Sequence, residues 1–263
     1  MTKNDDLSKI RDSIDSIDDQ ILSLVNERAK LAIQAGNAKE DSNKYKPARE
    51  SSILNRLVES NKGPLGKVQI KNIFNEIISS CRSTESTFTL SYLGPEGTFS
   101  ESALEGQFGK SVEKLPQASI SSIFESVENG LSDFGIVPIE NSTEGSVNST
   151  LDCLSQFDLK ICGEIEMEIH HNLLGHNKPL PTEGFEIHAH EQTLGQCREW
   201  LESYCPGVKL VSVNSNAQAA SNVTEDNSVI AIAGDLAASK YGLEILSKNI
   251  EDYSNNTTRF LTI

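Results

Sequence analysis

An unbroken apolar stripe near the start of the chain sets the first limit on its fold. Leu7, Ile10, Ile14, Ile17, Ile21, Leu24, Val25, Ala29, Ala32 and Ala35 follow a 3-and-4 spacing, and neither Gly nor Pro interrupts it before Gly36. That spacing predicts one helix, and carried to Lys39 it runs roughly 50 Å at 1.5 Å per residue. Two shorter helices are expected, from Glu50 to Ser60 and from Gln69 to Glu85, separated by Asn61-Lys62-Gly63-Pro64-Leu65-Gly66. Three unequal helices cannot cover so long a stripe, so this region is expected to pair with a second copy, giving a homodimer.

Charge divides the chain at the polar join Ser83-Thr84-Glu85-Ser86-Thr87. Of the formal net charge of −15, residues 1–87 contribute +1 and residues 88–263 contribute −16. So acidic a balance argues against nucleic acid or an anionic membrane as a partner. No apolar run approaches a membrane span, and Met1–Asp6 is polar and acidic, unlike a signal peptide, so the expected location is the cytoplasm. The five cysteines contain no C-x-x-C pair, and His170-His171 and His188-x-His190 lack a third well-spaced ligand, so no metal and no cofactor is expected.

After residue 88, short apolar runs alternate with helical stretches, the pattern of an α/β domain. Chemistry-bearing residues gather where strands end. Val137-Pro138-Ile139-Glu140-Asn141-Ser142-Thr143-Glu144-Gly145-Ser146 follows the run Phe134–Val137 and precedes a helical pattern. Such a junction serves either as a helix cap or as a ligand site at the carboxyl end of a strand. Tyr92-Leu93-Gly94-Pro95-Glu96-Gly97-Thr98-Phe99-Ser100 is a second junction, where backbone N–H groups can meet an anion. His188-Ala189-His190-Glu191-Gln192 is a third, and Asn255-Asn256-Thr257-Thr258-Arg259-Phe260 precedes the last apolar run.

In the helical segment the cations are informative. Arg28 and Lys39, 11 residues apart, share a helix face about 16 Å apart. Spacing alone describes solvated charges or intrahelical pairs, with a converging anion site as the alternative. Arg11 and Arg28 are about 25 Å apart on one helix, too far to hold one small ligand, so Arg11 can serve such a site only from a partner chain. The series Ile10-Arg11-Asp12-Ser13-Ile14-Asp15, Asn26-Glu27-Arg28-Ala29-Lys30, Gly36-Asn37-Ala38-Lys39, Pro47-Ala48-Arg49-Glu50 and Ile73-Phe74-Asn75-Glu76 resembles the all-helical chorismate mutases. The resemblance implies an intertwined dimer in which Arg11 of one subunit joins Arg28, Lys39, Arg49, Glu50 and Glu85 of the other around chorismate. The rearrangement to prephenate is pericyclic and needs no nucleophile. Catalysis then consists of selecting the compact conformer and stabilising charge on the ether oxygen. The resemblance gives the two arginines the carboxylates, Lys39 and Glu85 the ether oxygen, and Glu50 a ring hydroxyl. Some relatives carry Gln where Glu85 stands, and Lys46 occupies a position that is often acidic or polar. A Glu85 that donates a hydrogen bond must be protonated. Mutase activity is therefore expected to fall as pH rises through its pKa, and Glu85→Gln to flatten the measured pH profile.

The second segment resembles the prephenate dehydratases through Gly94-Pro95-Glu96-Gly97-Thr98-Phe99-Ser100, Val137-Pro138-Ile139-Glu140-Asn141-Ser142, His190-x-Gln192, Ala237-Ala238-x-x-Tyr241-Gly242-Leu243 and Thr258-Arg259-Phe260. The resemblance implies a helical mutase domain over 1–87 and a two-lobed dehydratase domain over 88–263, like the periplasmic-type binding proteins. Lobe one would comprise about 90–165 plus 251–263 and lobe two about 166–250, with prephenate between them. Thr258 is the leading candidate to position or relay the proton that leaves with the ring hydroxyl, with Glu140 or a bound water as its source. Arg259 is expected to hold a carboxylate, assisted by Thr98, Ser100, Asn141 and Gln192. The family's bifunctional members continue past Thr-Arg-Phe into a phenylalanine-binding domain of the ACT type, and only Leu261-Thr262-Ile263 follow here. The expectation is accordingly no phenylalanine inhibition through such a domain. Two other readings are arogenate as the second substrate, and a non-catalytic two-lobed metabolite sensor with a helical dimerisation arm.

Overall fold

A computed structural model of the chain describes residues 3–37, 47–84, 88–176, 179–181 and 183–263. It divides into two compact units, Met1–Thr87 with Phe108–Val112, and Phe88–Gln107 with Glu113–Ile263. Among the described residues no helix is long and apolar enough to cross a membrane.

The first unit holds three helices, α1 (Lys3–Asn37), α2 (Pro47–Ser60) and α3 (Lys67–Ser83). Pro47 opens α2, the position where a missing N–H costs nothing. α3 packs against both other helices and buries Ile70, Ile78 and Cys81. The stripe on α1 is only half covered: Ile10, Ile14, Ile17 and Ile21 remain 51–57% exposed and Leu24 64%. Lys39, Lys46 and Glu85 lie outside the described residues.

The second unit runs β1 (Thr89–Leu93), α4 (Phe99–Phe108), β2 (Glu113–Gln117), α5 (Ile120–Glu128), β3 (Phe134–Asn141), β4 (Gly145–Ser146), α6 (Asn148–Gln156) and β5 (Gly163–Glu168). It continues through β6 (Asn172–Gly175), β7 (Glu186–His190), α7 (Glu191–Gln196), α8 (Arg198–Tyr204), β8 (Lys209–Val213), α9 (Asn216–Glu225), β9 (Val229–Ala233), α10 (Asp235–Tyr241), β10 (Glu244–Ser247) and β11 (Thr257–Thr262). These strands form two sheets, one per lobe. The first has the order β2-β1-β3-β11-β5 with β4 on β3, and the second β10-β6-β9-β7-β8. β1 is parallel to β2 and β3, as helical crossovers require, while β11 lies antiparallel between β3 and β5. β9, Val-Ile-Ala-Ile-Ala, is buried at every residue, the composition expected of a strand covered on both faces.

The chain passes between lobes twice, from β5 to β6 through residues 169–171 and from β10 to β11 through residues 248–256. The sequence reading assigns residues from 166 to the second lobe. Pairing of Thr257–Thr262 with Gly163–Glu168 keeps all of β5 in the first, as an edge strand whose Glu164, Glu166 and Glu168 are exposed.

Candidate active site

Between the two lobes lies a cleft of about 1330 Å³. Lobe one supplies the turn Gly94–Ser100 after β1, the end of β3 at Asn141, and Thr258 and Phe260 of β11. The first crossing supplies His171, and lobe two supplies His190, Gln192 and Gln196, the start of α9 from Ser215 to Ala217, and Tyr241. The Gly94–Ser100 turn, Asn141, His190 and Ser215–Ala217 stand at carboxyl ends of strands or starts of helices, the places where backbone groups without partners inside the sheet or helix are available. Gly97 shows how closely the lobes approach. Its φ is +84°, and a Cβ there would stand 3.2 Å from the Tyr241 ring and 3.3 Å from Ala237 Cα. Only glycine accepts both that conformation and that spacing.

A chain of side-chain hydrogen bonds crosses the cleft floor, and backbone donors fix its polarity. Asn141 Oδ1 accepts the N–H groups of Thr143 (3.0 Å) and Glu144 (3.2 Å), so its other amide atom is the NH₂. That NH₂ donates to Thr258 Oγ1 at 2.8 Å and to Asn256 Oδ1 at 2.9 Å. Thr258 is therefore an acceptor toward Asn141, and its own O–H remains to be donated elsewhere. Asn256 Nδ2 in turn donates to Gln196 Oε1 at 3.1 Å, joining lobe two, and Gln196 Nε2 returns to Thr143 Oγ1 at 2.9 Å.

A second link between the lobes is ionic. Glu101 of α4 has a fully buried side chain, 2.9 Å from Lys240 of α10 and 3.0 Å from Lys114 of β2. Its Oε2 accepts the Gly97 N–H at 2.7 Å, anchoring the cleft turn. Burial alone raises the carboxyl pKa, but the bonds from Lys240, Gly97 and Lys114 outweigh it and hold Glu101 ionised below the ordinary carboxylate range. Lys240 also reaches Glu96 at 2.8 Å, and Lys114 reaches Glu105.

Of the residues expected from sequence, Thr98, Ser100, Asn141, Gln192 and Thr258 line this cleft together. Glu140 and Arg259 do not. Side chains alternate across a strand, so Arg259 projects from the face of β11 opposite to Thr258. There its Nη1 donates to Glu140 Oε2 and its Nε to Glu164 Oε1, each at 2.7 Å, with the side chain 45% exposed. The expected carboxylate partner and the expected acid are thus partners of each other outside the cleft. Among the described lining residues there is no Lys or Arg, while Glu96 and Glu144 contribute carboxylates.

In the helical unit, α1 is one helix carrying an exposed Arg11 and a half-buried Arg28, so the two cannot converge within one chain. Arg49 is exposed on α2. Glu50 already holds Arg82, whose Nη1 donates to Glu50 Oε1 at 2.6 Å and whose Nη2 donates to the Phe108 carbonyl at 2.7 Å. Sequence reasoning did not mark Gln196, Asn256 or His171 as cleft residues. In the sequence Asn256 belongs to the polar cluster before the last strand, and the His170-His171 pair reads only as a candidate metal ligand.

Comparison with known proteins agrees with both units. The chorismate mutase type II family matches residues 10–86 and the prephenate dehydratase family residues 90–263. A bifunctional chorismate mutase/prephenate dehydratase from Stutzerimonas stutzeri is 44% identical, the alignment covering 100% of this chain and 74% of that protein. One from Pseudomonas aeruginosa is 43% identical with the same coverage. Among solved structures, a prephenate dehydratase from Arthrobacter aurescens in complex with L-Phe has a TM-score of 0.62 at 32% identity, over 66% of this chain and 59% of that one.

Proposed function

The chain belongs to the bifunctional chorismate mutase/prephenate dehydratase family, and from that premise we infer that the interlobe cleft is where prephenate loses carbon dioxide and its ring hydroxyl. The chain is an enzyme of phenylalanine biosynthesis with two activities, rearranging chorismate to prephenate and converting prephenate to phenylpyruvate.

The observation that carries the site assignment is the gathering of Thr258, Asn141, Thr98, Ser100 and Gln192 around one cleft. Decarboxylation releases an electron pair that runs through the ring, which becomes aromatic as the C–O bond breaks. The protein has only to seat two carboxylates and protonate the departing hydroxyl. With no lining cation among the described residues, the carboxylates fall to hydroxyls and N–H groups at the starts of α4 and α9. Both helices are ten residues long and present their positive ends to the cleft. Thr258, 8% exposed and already an acceptor from Asn141, points its free O–H as the donor that relays the proton. Glu140, held by Arg259 on the other sheet face, leaves water as the source behind it.

The decisive experiment supplies chorismate and follows both products with time. Prephenate is expected to rise and then give way to phenylpyruvate; prephenate accumulating alone would sink the dehydratase assignment. Arg259→Gln is expected to change KM for prephenate less than about twofold, since an exposed ion pair contributes little. A tenfold rise would return Arg259 to the substrate.

The half-covered stripe on α1 supports a homodimer formed through the helical unit. Sedimentation equilibrium is expected to give twice the chain mass, and replacing Ile14 and Ile17 with Glu to weaken association. Five free cysteines, four of them buried, suit the reducing cytoplasm.

A further inference from the structure

The hydrogen-bond chain that fixes Thr258 as a donor continues one residue further and ends on an atom with nothing to bond. Asn256 presents its NH₂ to Gln196, so the Gln196 atom that meets it is Oε1. The same Oε1 lies 2.8 Å from His171 Nε2, which must therefore carry the proton. In a neutral imidazole this leaves Nδ1 as a bare acceptor. His171 is 2% exposed and forms part of the cleft wall. Its Nδ1 is shielded from solvent with no hydrogen-bond partner among the described residues. Three contacts position the ring. Nε2 is tied to Gln196, the backbone N–H donates to Glu251 at 2.9 Å, and the Phe99 ring stands edge-on at 5.6 Å. A buried polar atom held unpaired at a ligand cleft calls for a partner from the ligand.

We propose that His171 Nδ1 accepts the hydrogen bond of the prephenate ring hydroxyl and so sets which end of the substrate enters the cleft first. The argument rests on the dehydratase reading above and on the chemistry of the substrate. Prephenate carries two carboxylates and a ketone, all acceptors, and a single O–H. The carboxylates of Glu96 and Glu144 are exposed at the cleft, whereas His171 Nδ1 is a buried, fixed acceptor that matches that one donor. Engaging the hydroxyl's proton at Nδ1 leaves its oxygen lone pairs free to receive the proton with which it departs as water.

The neutral ring is required, and burial keeps it neutral by lowering the His171 pKa below its ordinary 6.5, against the opposing hydrogen bond to Gln196 and the charge of Glu251. The charged groups around it are Glu251 and the neighbouring His170, which pair at 2.7 Å, and Asp235, which accepts from Asn172 next along the strand. Protonation would place a hydrogen on Nδ1 and abolish acceptance. Dehydratase kcat/KM is thus expected to decline only as pH falls through that lowered pKa, on the acid side of 6.5.

Two substitutions separate the ring's two nitrogens. His171→Asn places an amide oxygen near the Nδ1 position, and His171→Gln reaches Gln196 in place of Nε2 but offers nothing at Nδ1. For prephenate, Gln is expected to lower kcat/KM about 10²-fold, the cost of losing one fixed contact in a site. Asn is expected to stay within about tenfold of the parent and to lose the acid decline. Phenylpyruvate lacks the ring hydroxyl, so its inhibition constant should change less than about twofold in both variants. Mutase turnover and melting temperature report on the fold. If Gln and Asn fall equally, if inhibition by phenylpyruvate weakens in step with kcat/KM, or if the acid decline persists in Asn, His171 is only a structural residue. Failure of the parent protein to convert prephenate would instead overturn the dehydratase reading itself.

Discussion

Thr258→Ala is expected to lower dehydratase turnover about 10³-fold, within the range by which a positioned proton donor accelerates a reaction, while leaving chorismate mutase activity unchanged. Thr258 is buried at the cleft face of β11, and Asn141 occupies its acceptor side at 2.8 Å. The hydroxyl hydrogen is not used by Asn141 and can be donated to a ligand in the cleft. Ala removes that donor and frees the Asn141 NH₂, which keeps its bond to Asn256. Thr258→Ser restores the oxygen and should recover most of the loss. Coupled assays on one preparation make the test internal, because prephenate formed by the first unit accumulates when the second is disabled. Equal loss of both activities would mean misfolding, and turnover reduced less than tenfold would remove Thr258 from the chemistry.

The second large effect concerns the helical unit. Arg11→Ala and Arg28→Ala are each expected to reduce mutase activity about 10²-fold or more, by removing one of two charged clamps on a dianion. Mixing the two inactive variants should restore about a quarter of the parent activity after subunit exchange. The reason is geometric. α1 is continuous from Lys3 to Asn37 and holds the two residues about 25 Å apart, so a site that uses both has to take them from different chains. In a mixed dimer one site collects both substitutions and the other collects neither. Absence of recovery after verified exchange would place both arginines of a site on one chain.

The 3-and-4 spacing of α1 made its length legible, and the distance between Arg11 and Arg28 followed from it without coordinates. The motif clusters after β1, β3 and β7 were legible because ligand-facing residues collect where strands stop. Two of the expected residues, Glu140 and Arg259, pair outside the cleft for a reason also present in the sequence. Glu140 precedes Asn141 and Arg259 follows Thr258, and adjacent strand residues face opposite sides. A motif that places Thr258 in the cleft therefore takes Arg259 out of it. What stayed hidden was partnership across segments. His171, Gln196 and Asn256 come from the first crossing, α7 and the second crossing, and nothing in their spacing shows that they meet.

The position of β11 also bears on how the second unit is made. β11 lies in the interior of the first sheet, between β3 and β5, yet in the chain it comes only after every strand of the second lobe. During synthesis the second lobe has all its strands before the first can close its own sheet. Until then β3 and β5 present open edges, the arrangement most prone to pair with other chains. The nascent first lobe is thus the stage of biogenesis that most needs a chaperone's cover, and substitutions that slow closure of β11 should appear as aggregation in the cell before they appear as lost activity in the purified enzyme.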